Sequence, residues 1–172
     1  ELVRLTLTFE HPADAVVSRF FRDNRGLGPR ERATLAETVY TVLRKKLLFD
    51  HMAPSGSGPK ERRLAILGFH GPRDFLKSAL TEQEKKWLDQ CDAVTVDDLM
   101  ERHRHNLPEW LVKPLKDQLG DGFWPLVESL AQSAPLDLRV NALKDKRADV
   151  QKELAKAGIK AHPTPYSPWG LR

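Results

Sequence analysis

Pro135-Leu136-Asp137-Leu138-Arg139-Val140-Asn141 alternates apolar and polar residues, the pattern of a half-buried strand. The chain before it keeps a different period. Phe123, Val127, Leu130 and Ala131 recur at helical spacing. Asn106 reads as the cap of a helix through Trp110, Leu111 and Leu115, which Gly120 ends. Thr95 stands as an N-cap before Leu99 and Met100, and Thr81-x-x-Glu84 fits a capping box that puts Trp87, Leu88 and Cys91 on one buried face. Pro54-Ser55-Gly56-Ser57-Gly58 is a surface loop by composition. Pro29 opens a long helix with Leu35, Val39, Val42 and Leu43 inward, and Ala13, Val16, Val17, Phe20 and Phe21 mark another. No internal repeat is present.

After the alternating stretch, Lys146 to Ala157 returns to helical spacing with Val150 and Leu154 inward, and Gly158 terminates it. Ile159 to Ala161 reads as a short second strand, and Pro163, Pro165 and Pro168 force an extended, turn-rich segment. The fold class expected is mainly α. A helical bundle over residues 1–133 is followed, over residues 134–172, by a short β-α-β piece that begins an α+β domain. The sequence stops at Trp169-Gly170-Leu171-Arg172 with no terminating composition, so it reads as cut short.

The 172 residues are 40% hydrophobic and 30% charged, the composition of a soluble globular protein. Apolar runs are too short to span a bilayer, and the first residues have no signal-peptide pattern. A single cysteine excludes an intrachain disulfide framework and a cysteine-rich zinc site, and points to the reducing cytoplasm. Net charge is +4, but Arg19 to Lys46 holds eight basic and three acidic residues. Such a local field suits phosphate backbones or another anionic surface; charge alone favours a solvated helix face.

No catalytic, cofactor-binding or metal-binding residue emerges. No glycine-rich loop follows a strand. His103 and His105, two apart, point to different sides of a helix, cannot share a metal and read as a solvated helix end. Cys91 falls on an apolar face as an inert thiol, and Trp87, Trp110 and Trp124 sit at core positions. Trp169, in an irregular segment, is open to wedging between domains or to ligand contact. The RNA-binding candidates are Arg25, Arg30, Arg32, Arg139 and Asn141. The first three surround the Gly26-x-Gly28-Pro29 turn at a helix start, where backbone N–H groups and guanidinium forks suit phosphate. Arg139 and Asn141 share one side of the strand with Asp137, opposite Leu136, Leu138 and Val140 on the buried side. They suit a phosphate or ribose contact followed by a base-edge hydrogen bond. Equally, Arg139 pairs with Asp137 or with a carboxylate of the helical domain and locks the domains together.

Pro12-Ala13-Asp14 through Phe20-Phe21, Leu27-Gly28-Pro29-Arg30-Glu31-Arg32-Ala33 and Val39-Tyr40-x-Val42-Leu43-Arg44 resemble the NusB-like helical domain of bacterial RsmB/Sun (Fmu)-type rRNA (cytosine-5) methyltransferases. Pro135 to Asn141 with Lys144, and Pro163-Thr164-Pro165-Tyr166-Ser167-Pro168-Trp169-Gly170-Leu171-Arg172, look like the start of that family's RRM-like subdomain, which leads into a Rossmann domain. The resemblance implies a cytoplasmic, monomeric parent enzyme that methylates C5 of cytosine in rRNA with S-adenosylmethionine. It also implies that these residues bind RNA without the cofactor, a metal or a membrane, and are inactive alone. Cys91 matches neither catalytic cysteine of the family. The alternative is a non-enzymatic NusB-like antitermination-type module, against which residues 135–172 speak.

Overall fold

The computed structural model describes residues 1–172. Prolines punctuate its helices. Pro29 is the first residue of one helix, and Pro12, Pro59, Pro72 and Pro108 each stand just before another, where the missing N–H costs no helical hydrogen bond. The helices in order are α1 (Leu2–Thr6), α2 (Ala13–Asp23), α3 (Pro29–Arg44), α4 (Lys46–Met52), α5 (Lys60–Leu67), α6 (Arg73–Ser78), α7 (Glu82–Asp92), α8 (Glu101–His105), α9 (Glu109–Leu119), α10 (Phe123–Leu130) and α11 (Arg147–Lys156). Two short strands, β1 (Leu138–Arg139) and β2 (Gly170–Leu171), complete a mainly α chain. It divides into two compact units, Glu1–Gln132 and Ser133–Arg172.

The helical unit has two core clusters. Val39 and Val42 of α3, Leu64 of α5 and Phe49 of α4 centre the first; Trp87, Leu88 and Cys91 of α7 pack with Ile66 and Leu76 in the second. Leu67 packs against both. The end of α5 lies so close to α3 that a Cβ on Gly68 would come within 2.5 Å of Val42 Cγ2. The capping box forms as expected. Glu84 accepts from Thr81 N and also from Arg62 of α5, so its carboxyl is held down at about 2, chiefly by the guanidinium.

Local sequence misleads at several places. Asn106 does not begin α9: it ends α8 in the left-handed region at φ 52. Its Oδ1 accepts from Leu48 N at 3.0 Å, capping α4 from across the fold. Thr95 and Asp98 close a single 3₁₀ turn, Val96–Asp98, rather than starting an α-helix. The Pro54–Gly58 loop is tied down, because Ser55 Oγ accepts from Trp87 Nε1 at 2.9 Å and the Gly56 backbone sits against the indole. Trp110 is exposed on α9, and Leu130 ends α10 facing solvent.

In the second unit β1 and β2 are antiparallel, Leu138 opposite Leu171 and Arg139 opposite Gly170. Ile159–Ala161 is not a strand. The backbone that pairs is three residues later: His162 and Arg172 exchange two hydrogen bonds, and Thr164 N donates to Gly170 O. The terminal strand therefore lies between the two, and the proline-rich stretch is the turn that returns the chain to it. Val140 and Leu171 are buried, whereas Leu136 and Leu138 are exposed. Alternation sets the side a residue takes; only packing decides whether that side is covered.

Asn106 therefore holds α8 to α4. Asn106→Gly, which keeps the left-handed backbone, should lower unfolding free energy by about 1 kcal/mol through the lost cap. Asn106→Ala should lower it by roughly a further 1 kcal/mol for a Cβ forced into that conformation. Urea unfolding followed by circular dichroism checks both, and equal stability of all three proteins would show that the cap is idle.

Candidate functional site

β1 sends Arg139 to one side of its small sheet, and the guanidinium carbon lies 5.7 Å from the centroid of the Trp169 ring, a cation–π distance. Trp169 stays 44% exposed, so the pair is an open platform. The alternative pairing of Arg139 with Asp137 does not form; Asp137 is taken by Arg172 through two hydrogen bonds of 2.7 and 2.8 Å. That guanidinium also holds the Asp137 carboxyl below the usual range. Asn141 closes an Asx turn, its Oδ1 accepting from Leu143 N at 3.1 Å. Its Nδ2 is thereby left without a partner in the chain. One cavity of about 440 Å³ lies beside Trp169 and Asn141, and another of about 420 Å³ beside Tyr166 and Thr164; Arg139 lines both.

The basic turn of the helical unit is arranged differently. Arg25 and Arg30 are exposed, but Arg32 is folded inward, with Nε donating to Leu27 O at 2.9 Å and the guanidinium over Phe21. Glu31 accepts from Gly28 N at 2.6 Å, so the first turn of α3 already holds a carboxylate of its own. Of the three, Arg32 is turned back onto its own loop. Charge separates the units more sharply still: Glu1–Gln132 has 20 basic and 20 acidic residues, and Ser133–Arg172 has eight and four. The +4 of the whole chain is the charge of its second unit.

His103 and His105 are not at a solvated end; they are 3% and 5% exposed. α8 is too short to have a solvent face and a core face in turn, and both rings are covered by neighbouring helices. His103 stacks on His51 of α4 with ring centroids 4.0 Å apart and accepts at Nε2 from Arg102. His105 accepts from Leu107 N and meets the Phe123 ring edge-on. Burial pushes both pKa values down, with the positive field of His51 and Arg102 adding at His103; at His105, Glu109 and Glu101 oppose the shift. Cys91 is buried and its thiol is pushed up by burial, away from nucleophilic character. No group of three or more His, Cys, Asp or Glu residues is placed to hold a metal, and no helix is long and apolar enough to cross a membrane.

Residues 107–172 match the family model of the RsmF/RsmB-like methyltransferase ferredoxin-like domain. That stretch is similar to this domain family. The match starts before the second unit and includes α9 and α10, which pack on α8 in the first: Lys116 pairs with Glu101, and Arg104 lies 4.5 Å from the Trp124 ring centroid. The solved structure described as "Crystal Structure of PH0851" is similar over 99% of this chain, with a TM-score of 0.64 and 19% identity, a likeness of fold. The chain spans 46% of that protein's length. None of the curated proteins matches it. Sequence reasoning named Arg139 and Asn141 but left Trp169 open. The signal for the platform was an aromatic in a segment with no period to bury it.

Burial favours the neutral form of both imidazoles in the folded protein, whereas the unfolded chain takes up their protons near the ordinary histidine value of about 6.5. Lower pH therefore favours unfolding: stability should be flat above about pH 7 and fall as pH drops through 6.5 towards the lower folded values. Urea midpoints across that range measure it, and His103→Gln should flatten the slope. A midpoint independent of pH would contradict neutral burial.

Proposed function

We propose that this protein is the RNA-handling part of an S-adenosylmethionine-dependent rRNA (cytosine-5) methyltransferase of the RsmB/Sun type, working in the cytoplasm. The observation that carries the reading is the family match over residues 107–172. The open Arg139–Trp169 platform and the positive charge of Ser133–Arg172 support it. On this reading residues 1–133 are a NusB-like helical domain and residues 134–172 open the ferredoxin-like, RRM-like subdomain. RNA is held chiefly by the latter and presented to a catalytic domain elsewhere in the protein.

On this reading the cofactor is held by the catalytic domain. β1 runs into the Asx turn at Asn141 rather than into a glycine-rich loop, and the buried Cys91 is no nucleophile. The part these residues play is binding and orientation. Arg139 supplies a cation that no carboxylate neutralises, Asn141 supplies amide donors two residues on, and Arg25 and Arg30 are peripheral phosphate contacts. Arg32 holds its turn together instead.

Arg139→Ala should weaken binding to structured rRNA fragments and reduce the log–log salt slope by roughly 0.7 to 0.9, with the melting temperature nearly unchanged. Reversing Arg25 and Arg30 should have a smaller effect, and Arg32→Ala should act on stability. Fluorescence anisotropy at several salt concentrations reads the first two. Unchanged affinity and slope for Arg139→Ala would remove this surface from the RNA path.

A further inference from the structure

We propose that the second unit holds two consecutive unpaired nucleotides of RNA, one on each side of Arg139. The proposal rests on the RNA-handling reading above and narrows it to single-stranded RNA. Its basis is the pair of open concavities that Arg139 lines in common, one beside Trp169 and one beside Tyr166. Trp169, Asn141 and Leu143 line an open concavity of about 440 Å³, and Tyr166, Ser167 and the Arg172–Asp137 pair line another of about 420 Å³. Tyr166 is 99% exposed and Leu143 97%, in a unit whose net charge is positive.

Three physical points select the ligand. A flat aromatic presented to solvent beside a cation attracts the π-face of a base, and bases in a duplex have no free face to give. Arg139 stands against Trp169 and lines both cavities, so its charge falls where the phosphate joining two flanking nucleotides would pass. A docked protein segment would call for one continuous apolar groove, whereas this surface is two open concavities that share a cation. Asn141, with its Oδ1 engaged by Leu143 N, offers donors from Nδ2 to the acceptor edge of a base on the Trp169 side. Gly170, opposite Arg139 in the strand register, adds no side chain to block the floor between them.

The test uses the 172-residue protein with fluorescein-labelled oligouridylate and oligoadenylate, and, as the duplex probe, a blunt-ended RNA hairpin whose paired stem is closed by a non-nucleotide linker. Single strands should bind more tightly than the hairpin. Tyr166→Ala and Trp169→Ala should each weaken single-strand binding by roughly 5- to 150-fold, the loss of about one stacked base. Tyr166→Phe and Trp169→Phe should bind nearly as the parent, and none of the four should alter the salt slope, since no phosphate contact is removed. The Tyr166 side chain touches solvent on all sides, so its removal leaves the fold intact and the reading interpretable even if Trp169→Ala unfolds. Equal affinity for hairpin and single strand, or parental affinity in Tyr166→Ala, overturns the two-nucleotide site while RNA handling stands. No binding of the unmutated protein to any of these RNAs or to structured rRNA overturns both.

Discussion

At Gly170 a Cβ would stand 2.0 Å from Thr164 Oγ1 and 3.1 Å from Ser167 Cβ, so only glycine lets the terminal strand pass this close to the turn before it. Much of the second unit follows from that approach. With Gly170 seated, Leu171 is fully buried and pairs with Leu138 on one side and with Pro163 on the other. The flanking residues are then set by strand geometry: Trp169 comes under Arg139, and Arg172 meets Asp137. Arg147 at the start of α11 donates to Ser167 O, and Gln151 to Ala161 O, which fastens the helix to the same turn. A strand pair this short is marginal alone; here side-chain bonds to backbone carbonyls supply what the ladder lacks.

In the helical unit the comparable role falls to α8. It is only five residues, Glu101–His105, too short to be stable by its own hydrogen bonds. Its two histidines and Asn106 bind it to α4 and to the start of α10. The burial of neutral imidazole and the cross-fold cap are one device. They place polar groups in the interior where each makes a specific bond, Asn106 Oδ1 accepting from Leu48 N and His103 Nε2 from Arg102. The family match starting at residue 107 places α9 and α10 with the ferredoxin-like domain, yet they pack on α8, so a sequence family boundary and a packing boundary differ by about two helices.

Charge and geometry agree on where anions would be met. The first unit as a whole carries equal numbers of basic and acidic residues, and Arg32 of its basic stretch spends its donors on Leu27 and Arg25 carbonyls. In the second unit Arg172 is neutralised by Asp137, and that pairing is what leaves Arg139 free to lie over Trp169.

The sequence by itself determined the helical class, the start of α3 at Pro29, the capping box at Thr81 and the buried face of α7, because these depend on bonds and periodicities within one or two turns. It also determined that the period changes at Pro135 and that Arg139 and Asn141 face away from Val140. Tertiary structure alone decided which side of Asn106 its side chain would serve, since that cap acts across 58 residues. It alone decided that His103 and His105 lie inside, because a short helix has no period long enough to reveal its buried face. And it alone decided that Gly170–Leu171, not Ile159–Ala161, forms the strand beside Leu138–Arg139. Strand pairing is a contact between distant segments, and the close approach that only Gly170 permits is written in no local pattern.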